Sequence, residues 1–175
     1  MEYKIMKAKV SDAEGIAKVH IRTWHETYKG LVEDEYLKGL ILGERITKWE
    51  ERLVPNKKHW AFVAVDEKDK IVGFISGGRA RDKKLKRFGG ELYAIYILKA
   101  HQKKNIGTLL TQRLCKEFEK NRIKNMYVCV LKDNPYKSFY RKKGARLLRT
   151  EKIKIGKRMY KEEIMGWDDL VPLCK

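Results

Sequence analysis

The chain is 175 residues long, the size of one ordinary domain with a real core. Its 43% hydrophobic and 37% charged content excludes a disordered chain, and no run approaches the ~20 apolar residues of a membrane span, so a soluble protein is expected. Lysine and arginine total 41 against 23 acidic residues, a formal net charge of +18 that favours an anionic partner without identifying it.

Residues 2–8 read as a first strand. Ser11 and Glu14 then stand at capping-box spacing before a helix whose apolar face runs Ala13, Ile16, Ala17, His20, Trp24 and Tyr28, with Gly30 as its end. His20 and His25 are five apart, about 140° round a helix, and cannot share a metal, so no metal site is predicted. His20 is assigned to the core. Short helices follow at 33–38, stopped by Gly39, and at 44–53. The segment 60–78 reads as two strands about a polar turn, a β-hairpin.

Six of the nine residues at 79–87 are basic, and this stretch is read as a loop. It is either a solvated connection or a contact for a cofactor phosphate, an acidic acceptor or nucleic acid. Residues 90–98 are strongly β-prone. From Ile106 the apolar residues Leu109, Leu110, Leu114 and Phe118 recur at spacings of three and four, one stripe of a helix ending near Asn121. The strand at 125–132 is apolar on both faces. A short helix stopped by Gly144 comes next, and the last hairpin turns at Gly156-Lys157. No repeat or low-complexity linker divides the chain, so a single domain over 1–175 is predicted.

The order is strand, helices, three strands, helix, strand, helix, two strands, which calls for a mixed sheet between helices. Three cysteines, odd in number and widely spaced, and a start without an apolar run behind basic residues, fit a reducing cytoplasm.

The site is expected where the strand at 90–98 gives way to the helix at Ile106. A helix N-terminus points unpaired N–H groups outward beside a partial positive charge, and such ends bind phosphate. Lys103 and Lys104 add full charges. Asn105 is the non-glycine residue best suited to a left-handed backbone, and Gly107 admits close approach of a ligand. The stretch reads as a pyrophosphate cradle.

At these residues the sequence resembles the GNAT superfamily of acyl-CoA-dependent N-acetyltransferases. The family signature Arg/Gln-x-x-Gly-x-Gly/Ala stands here as Gln102, Lys103, Lys104, Asn105, Ile106 and Gly107. Asn105 replaces the first glycine, and Lys99 stands where a proline is common. Downstream, Asn134, Tyr140 and Gly144 match an Asn-x-x-x-x-x-Tyr segment, with Ala145 in place of the usual aromatic. Near the start, WHETYKGL is similar to a Trp-x-x-Thr-Tyr-x-Gly stretch of a branch that includes some spermidine acetyltransferases. The resemblance spans roughly residues 2–165.

The resemblance implies an α/β fold with a central mixed, mainly antiparallel sheet flanked by helices and splayed fourth and fifth strands. It implies acetyl-CoA as co-substrate, with Ile95, Tyr96 and Ile97 offering backbone groups to the pantetheine arm. Gln102, Lys103, Lys104, Asn105, Ile106, Gly107 and Thr108 would hold the pyrophosphate, and Asn134 would also contact the cofactor. The acceptor would be the amine of a small molecule or peptide, with Trp24 and Tyr28 lining its pocket. Obtaining a neutral amine at pH 7 from a reference pKa near 10.4 costs about 4.6 kcal/mol, so a base is useful. By resemblance that base is Glu91, and Tyr140 is the general acid for the leaving thiolate. Members of the family are often dimers, which allows a homodimer here. A basic nucleic-acid-binding module and a non-catalytic CoA sensor are the alternatives; no RNP aromatic pair, GXXG loop or zinc finger supports the former.

Overall fold

The computed structural model describes residues 2–56 and 58–175. Strand β1 (Lys4–Lys7) precedes helices α1 (Ala13–Tyr28), α2 (Asp34–Lys38) and α3 (Leu42–Leu53). Strands β2 (His59–Val65), β3 (Ile71–Arg79) and β4 (Gly90–Ile97) lead to α4 (Ile106–Lys120) and β5 (Met126–Leu131). Helix α5 (Ser138–Lys142) and the hairpin of β6 (Arg146–Ile155) and β7 (Arg158–Trp167) follow. All seven strands form one sheet, ordered β1-β2-β3-β4-β5-β7-β6, and only the β4–β5 pair is parallel. This is the expected mixed, mainly antiparallel sheet between helices.

Why each segment folds as it does is largely a matter of which face it buries. In β2 alternate residues serve opposite layers: Ala61, Val63 and Val65 pack under α1 and α3, while Trp60, Phe62 and Ala64 pack under α4. A central strand covered on both sides must be apolar throughout, hence the run WAFVAV. Helix α4 seals its face with Ile106, Leu110, Leu114 and Phe118, all buried. Leu109, placed by the periodicity in the same stripe, is only half-buried.

The start of α1 departs from expectation. Ser11 does not cap it; a 3₁₀ turn at Val10–Asp12 leads in, and the Asp12 carboxylate accepts from the Lys9 N–H at 2.8 Å. Glu14 instead pairs with Lys18 one turn on, at 2.6 Å. The end is as expected, with Gly30 at φ 79° and both Leu31 and Val32 donating to the Tyr28 carbonyl. Gly144 (φ 86°) and Gly156 (φ 61°) likewise take left-handed turns after α5 and between β6 and β7.

His20 sits in the core, 8% exposed, where its ring stacks on Tyr96 at 5.1 Å and its Nδ1 accepts from Trp49 Nε1 at 3.2 Å. Burial, with Arg45 and Arg52 nearby, lowers its pKa to about 3. The folded state therefore keeps this ring neutral while the unfolded chain protonates it near pH 6.5. The contribution to stability is complete above pH 6.5 and is lost on acidification towards pH 3, at about 1.4 kcal/mol per pH unit. Urea denaturation between pH 4 and 7 should show this acid slope in the wild type. The variant His20→Gln, which keeps an acceptor for Trp49, should show a slope shallower by that amount.

Candidate active site

Strands β4 and β5 pair in parallel over three positions, from Gly90↔Met126 to Leu92↔Val128, and then separate. A β-bulge starts the divergence: Gly77 faces Leu92 and Ser76 faces Ala94, so Tyr93 is an extra residue on β4. A Cβ on Gly77 would lie 2.8 Å from Leu114 and 2.9 Å from the Glu91 carbonyl, so only glycine lets β3 pass under α4 beside the bulge.

Beyond the bulge, Leu98 donates to the Val72 carbonyl at 2.9 Å. Backbone groups alternate along an antiparallel pair, so those of Ile95 and Ile97 face the open side of the split while Tyr96 pairs with Phe74 on β3. All three line the cavity; Ile95 and Ile97 turn their backbone groups to the gap, and Tyr96 turns its own to β3. The Ile97 carbonyl already accepts from Gln102 Nε2 at 3.1 Å, which fixes the cradle's first residue to the edge of the split.

The helix that closes the split begins as the sequence suggests. Asn105 is left-handed at φ 62°, ψ 2°, and Lys103 is left-handed too, at φ 59°. The first helical bond runs from the Leu109 N–H to the Asn105 carbonyl, so the N–H groups of Ile106, Gly107 and Thr108 have no acceptor within the helix. Gly107 has a packing reason beyond ligand approach, since a Cβ there would lie 3.2 Å from Phe139 and 3.4 Å from Ile97.

A cavity of about 690 Å³ runs through the split and is lined from both faces of the sheet. On the α4 side its wall includes Ile97, Gln102, Lys103, Asn105, Gly107 and Tyr140; on the α1 side it includes Trp24, Tyr28, Tyr36 and Tyr96. Ile95, Ile106, Thr108 and Asn134 also line it, whereas Lys104 does not. Trp24 Nε1 donates to the Tyr96 hydroxyl at 3.0 Å, and Asn134 Nδ2 donates to the Tyr28 hydroxyl at 2.9 Å. Asn134 Oδ1 accepts from the Tyr136 N–H at 2.8 Å, so this residue ties the loop before α5 to α1. Burial raises the Tyr140, Tyr28 and Tyr96 hydroxyls above the usual phenol range, and all three stay protonated at neutral pH.

Glu91 is not brought to this cavity. Its carboxylate, 7% exposed, accepts from the Arg81 N–H at 3.1 Å, Arg81 Nε at 3.0 Å, Arg81 Nη2 at 2.6 Å and the Tyr127 hydroxyl at 2.8 Å. Three of these bonds converge on Oε2 and one on Oε1, so the carboxylate is committed mainly to Arg81 and Tyr127. Glu91 anchors the basic segment to the sheet.

That segment is more than a solvated loop. Arg81 also lies 4.0 Å over the Tyr93 ring, Arg87 lies over Phe88 and pairs with Asp168, and Asp82 pairs with Arg149. It joins β4 at Gly90, the end opposite the cradle, and eight strand residues put roughly 25 Å between them.

Among the cavity residues that carry no motif and were missed in the sequence are Tyr36, Cys129 and Glu162. Burial, then the neighbouring Glu162, Glu91 and Glu151, pushes the Cys129 thiol up to about 12, so it is not a ready thiolate nucleophile.

A family model described as the acetyltransferase (GNAT) family matches residues 21–145. A Bacillus subtilis (strain 168) protein named "uncharacterized N-acetyltransferase YuaI" is 32% identical over 169 residues, 97% of this chain and 95% of its own. The crystal structure of PaiA N-acetyltransferase from Thermoplasma acidophilum in complex with coenzyme A superposes with a TM-score of 0.78 at 24% identity, covering 95% of this chain and 98% of that one. The structure of yncA from Salmonella typhimurium with its cofactor acetyl-CoA gives 0.70 at 18%, covering 95% and 94%. At these identities the two structures speak to the fold.

The left-handed turn at Asn105 can be tested directly. A β-branched residue there should cost about 1–2 kcal/mol. For a chain of this length Asn105→Val should then lower Tm by roughly 2–8 °C, while Asn105→Gly should leave it within about 2 °C of the wild type, as read by thermal denaturation without ligand.

Proposed function

The chain belongs to the acetyltransferase (GNAT) family, and from that premise we propose that it transfers an acetyl group from acetyl-CoA to a primary amine by direct attack in a ternary complex. The observation that carries this reading is the split sheet with an unpaired helix N-terminus at its mouth. One long cavity joins an anion cradle on the α4 side to an aromatic chamber on the α1 side. The Thermoplasma acidophilum relative is in complex with coenzyme A and the Salmonella typhimurium one with acetyl-CoA, and the donor set here suits the same molecule.

On this reading the N–H groups of Ile106, Gly107 and Thr108 take the pyrophosphate, with Lys103 and Lys104 adding charge and Gln102 holding the turn against Ile97. The open N–H and C=O groups of Ile95 and the N–H of Ile97 accept the pantetheine arm as a surrogate strand. An N–H on this edge also stabilises the developing oxyanion, in a site where the sheet and α1 exclude water. Tyr140 stands at the cavity wall, edge-on to Trp167 at 6.1 Å, and supplies the proton for the departing thiolate. Its raised pKa keeps the proton in place until that charge develops. The neutral Cys129 thiol supports direct transfer over an acyl-enzyme route.

Thermal denaturation at fixed salt, with acetyl-CoA beside ADP and a heparin control, tests the cofactor. A ligand at one hundred times its Kd adds about 2.7 kcal/mol, a rise of roughly 5–11 °C at this size. An equal rise with heparin would reduce the effect to charge attraction and favour the nucleic-acid reading. Tyr140→Phe should cut turnover by about 10²-fold or more with the acetyl-CoA shift unchanged, measured by thiol release.

A further inference from the structure

Glu162 stands apart from every other acidic residue near the site. It is the one carboxylate in the cavity wall among the described residues. The register of β7 sets it beside Leu131 of β5 and Glu151 of β6, on the same face of the sheet as Cys129 and Tyr28, across from the cradle. Among the described residues its carboxyl makes no hydrogen bond or ion pair, whereas Glu91 and Glu163 are each held by arginine. A half-buried carboxylate without a partner lacks a charge that a ligand can supply.

The walls around it state what kind of ligand that is. Trp24, Tyr28, Tyr36 and Tyr96 give the chamber aromatic faces, with Trp24 and Tyr28 at 4.8 Å and Trp24 and Tyr36 at 5.7 Å between ring centres. Ring faces and a lone carboxylate together suit a cation on an apolar stem. We propose that Glu162 binds the protonated amine of the acceptor and takes its proton, and that the acceptor is a cationic primary amine on an apolar or aromatic stem. This rests on the acetyl-transfer reading above and names its acceptor class and its base.

The groups facing Glu162 fit the role. Burial, then Glu151 and Glu91, holds its pKa above the ordinary carboxylate range, which strengthens it as a base. Glu151 is paired with Arg149 at 3.1 Å and Glu91 with Arg81 at 2.6 Å, so neither competes for the amine. Tyr28 and Cys129 are neutral, their pKa values raised mainly by burial. Lys154 is the cation that shares the chamber wall on the β6–β7 side.

The step balances as follows. The ammonium gives one proton to Glu162, and the freed lone pair forms a C–N bond to the thioester carbonyl carbon. The C–S bond breaks as the sulfur takes the Tyr140 hydroxyl proton. The second proton on nitrogen passes through solvent to the tyrosinate, and Glu162 releases its own to bulk. The products are the amide, CoA thiol and one proton.

The test uses full-length wild type, Glu162→Gln and Glu162→Asp with n-hexylamine, phenethylamine and 1,4-diaminobutane, and aniline as an amine uncharged at neutral pH. Thiol release is followed from pH 6 to 10, and the acetyl-CoA thermal shift is recorded for each variant. With the alkylamines, kcat/KM of the wild type should be level between the Glu162 and amine pKa values. Glu162→Gln should lose about 10²–10³-fold at pH 7 and rise tenfold per pH unit towards the amine pKa, because only free amine then reacts. Glu162→Asp should recover part of the plateau, aniline should lose far less, and the acetyl-CoA shift should be the same in all three proteins. A Glu162→Gln profile parallel to the wild type would overturn the assignment. So would a wild type that acetyl-CoA stabilises but that releases no thiol with any alkylamine. A wild type that acetyl-CoA fails to stabilise would instead remove the acetyl-transfer reading, and the inference with it.

Discussion

Strands β4 and β5 keep their hydrogen bonds for three positions and then part, and the architecture of the site depends on that gap. A sheet strand whose edge groups are unpaired is unstable in a protein interior unless something else supplies the partners. Here the bulge at Tyr93 turns β4 away, Gln102 takes one of its carbonyls, and α4 is left with its N-terminus at the mouth of the opening. The unpaired edge, the helix end and the through-cavity are thus three consequences of one break in pairing. The β5–β7 and β6–β7 ladders, which are long and antiparallel, hold the far side of the wedge open against collapse.

A second tension is electrostatic. A net charge of +18 favours polyanionic ligands but raises the cost of any cationic acceptor. Several of its acidic groups are held in ion pairs: Glu33 with Arg158, Glu35 with Lys157, Asp82 with Arg149, Asp168 with Arg87 and Arg146. Exposed pairs of this kind contribute little to stability. Inside the cavity the one lining carboxylate among the described residues, Glu162, is unpaired, so it is the local feature that an approaching ammonium meets.

Much of this was legible in the sequence because it is local. Asn105 announces a left-handed residue by its type, the α4 stripe follows from period, and Gly30, Gly144 and Gly156 mark the turns that they make. What was not legible depends on distant partners. Glu91 matches a motif position, yet its partners are an arginine ten residues back and a tyrosine 36 residues on, and nothing in the local pattern reveals that four donors converge on it. Ser11 and Glu14 have capping spacing, but the chain enters α1 through a 3₁₀ turn whose first N–H, that of Lys9, is met by Asp12. Tyr96 pairs its backbone with β3 while Ile95 and Ile97 face the gap, a distinction that only the register with β3 can make.

The same logic governs Glu162 and Glu163. In sequence they are one acidic dipeptide in a charged hairpin; in a strand, adjacent residues point to opposite faces, and the register of β7 against β5 decides which goes where. Glu163 turns to the α5 side, 5% exposed, and accepts from Lys137 Nζ at 3.0 Å and Arg141 Nη2 at 3.2 Å, the residues that bracket Tyr140. Glu162 turns to the aromatic chamber. One strand therefore pins the helix that carries Tyr140 while presenting Glu162, the proposed base, from its other face. A shift of β7 by a single residue would exchange the two carboxylates and undo both, so the hairpin register itself sets where Glu162 lies relative to Tyr140.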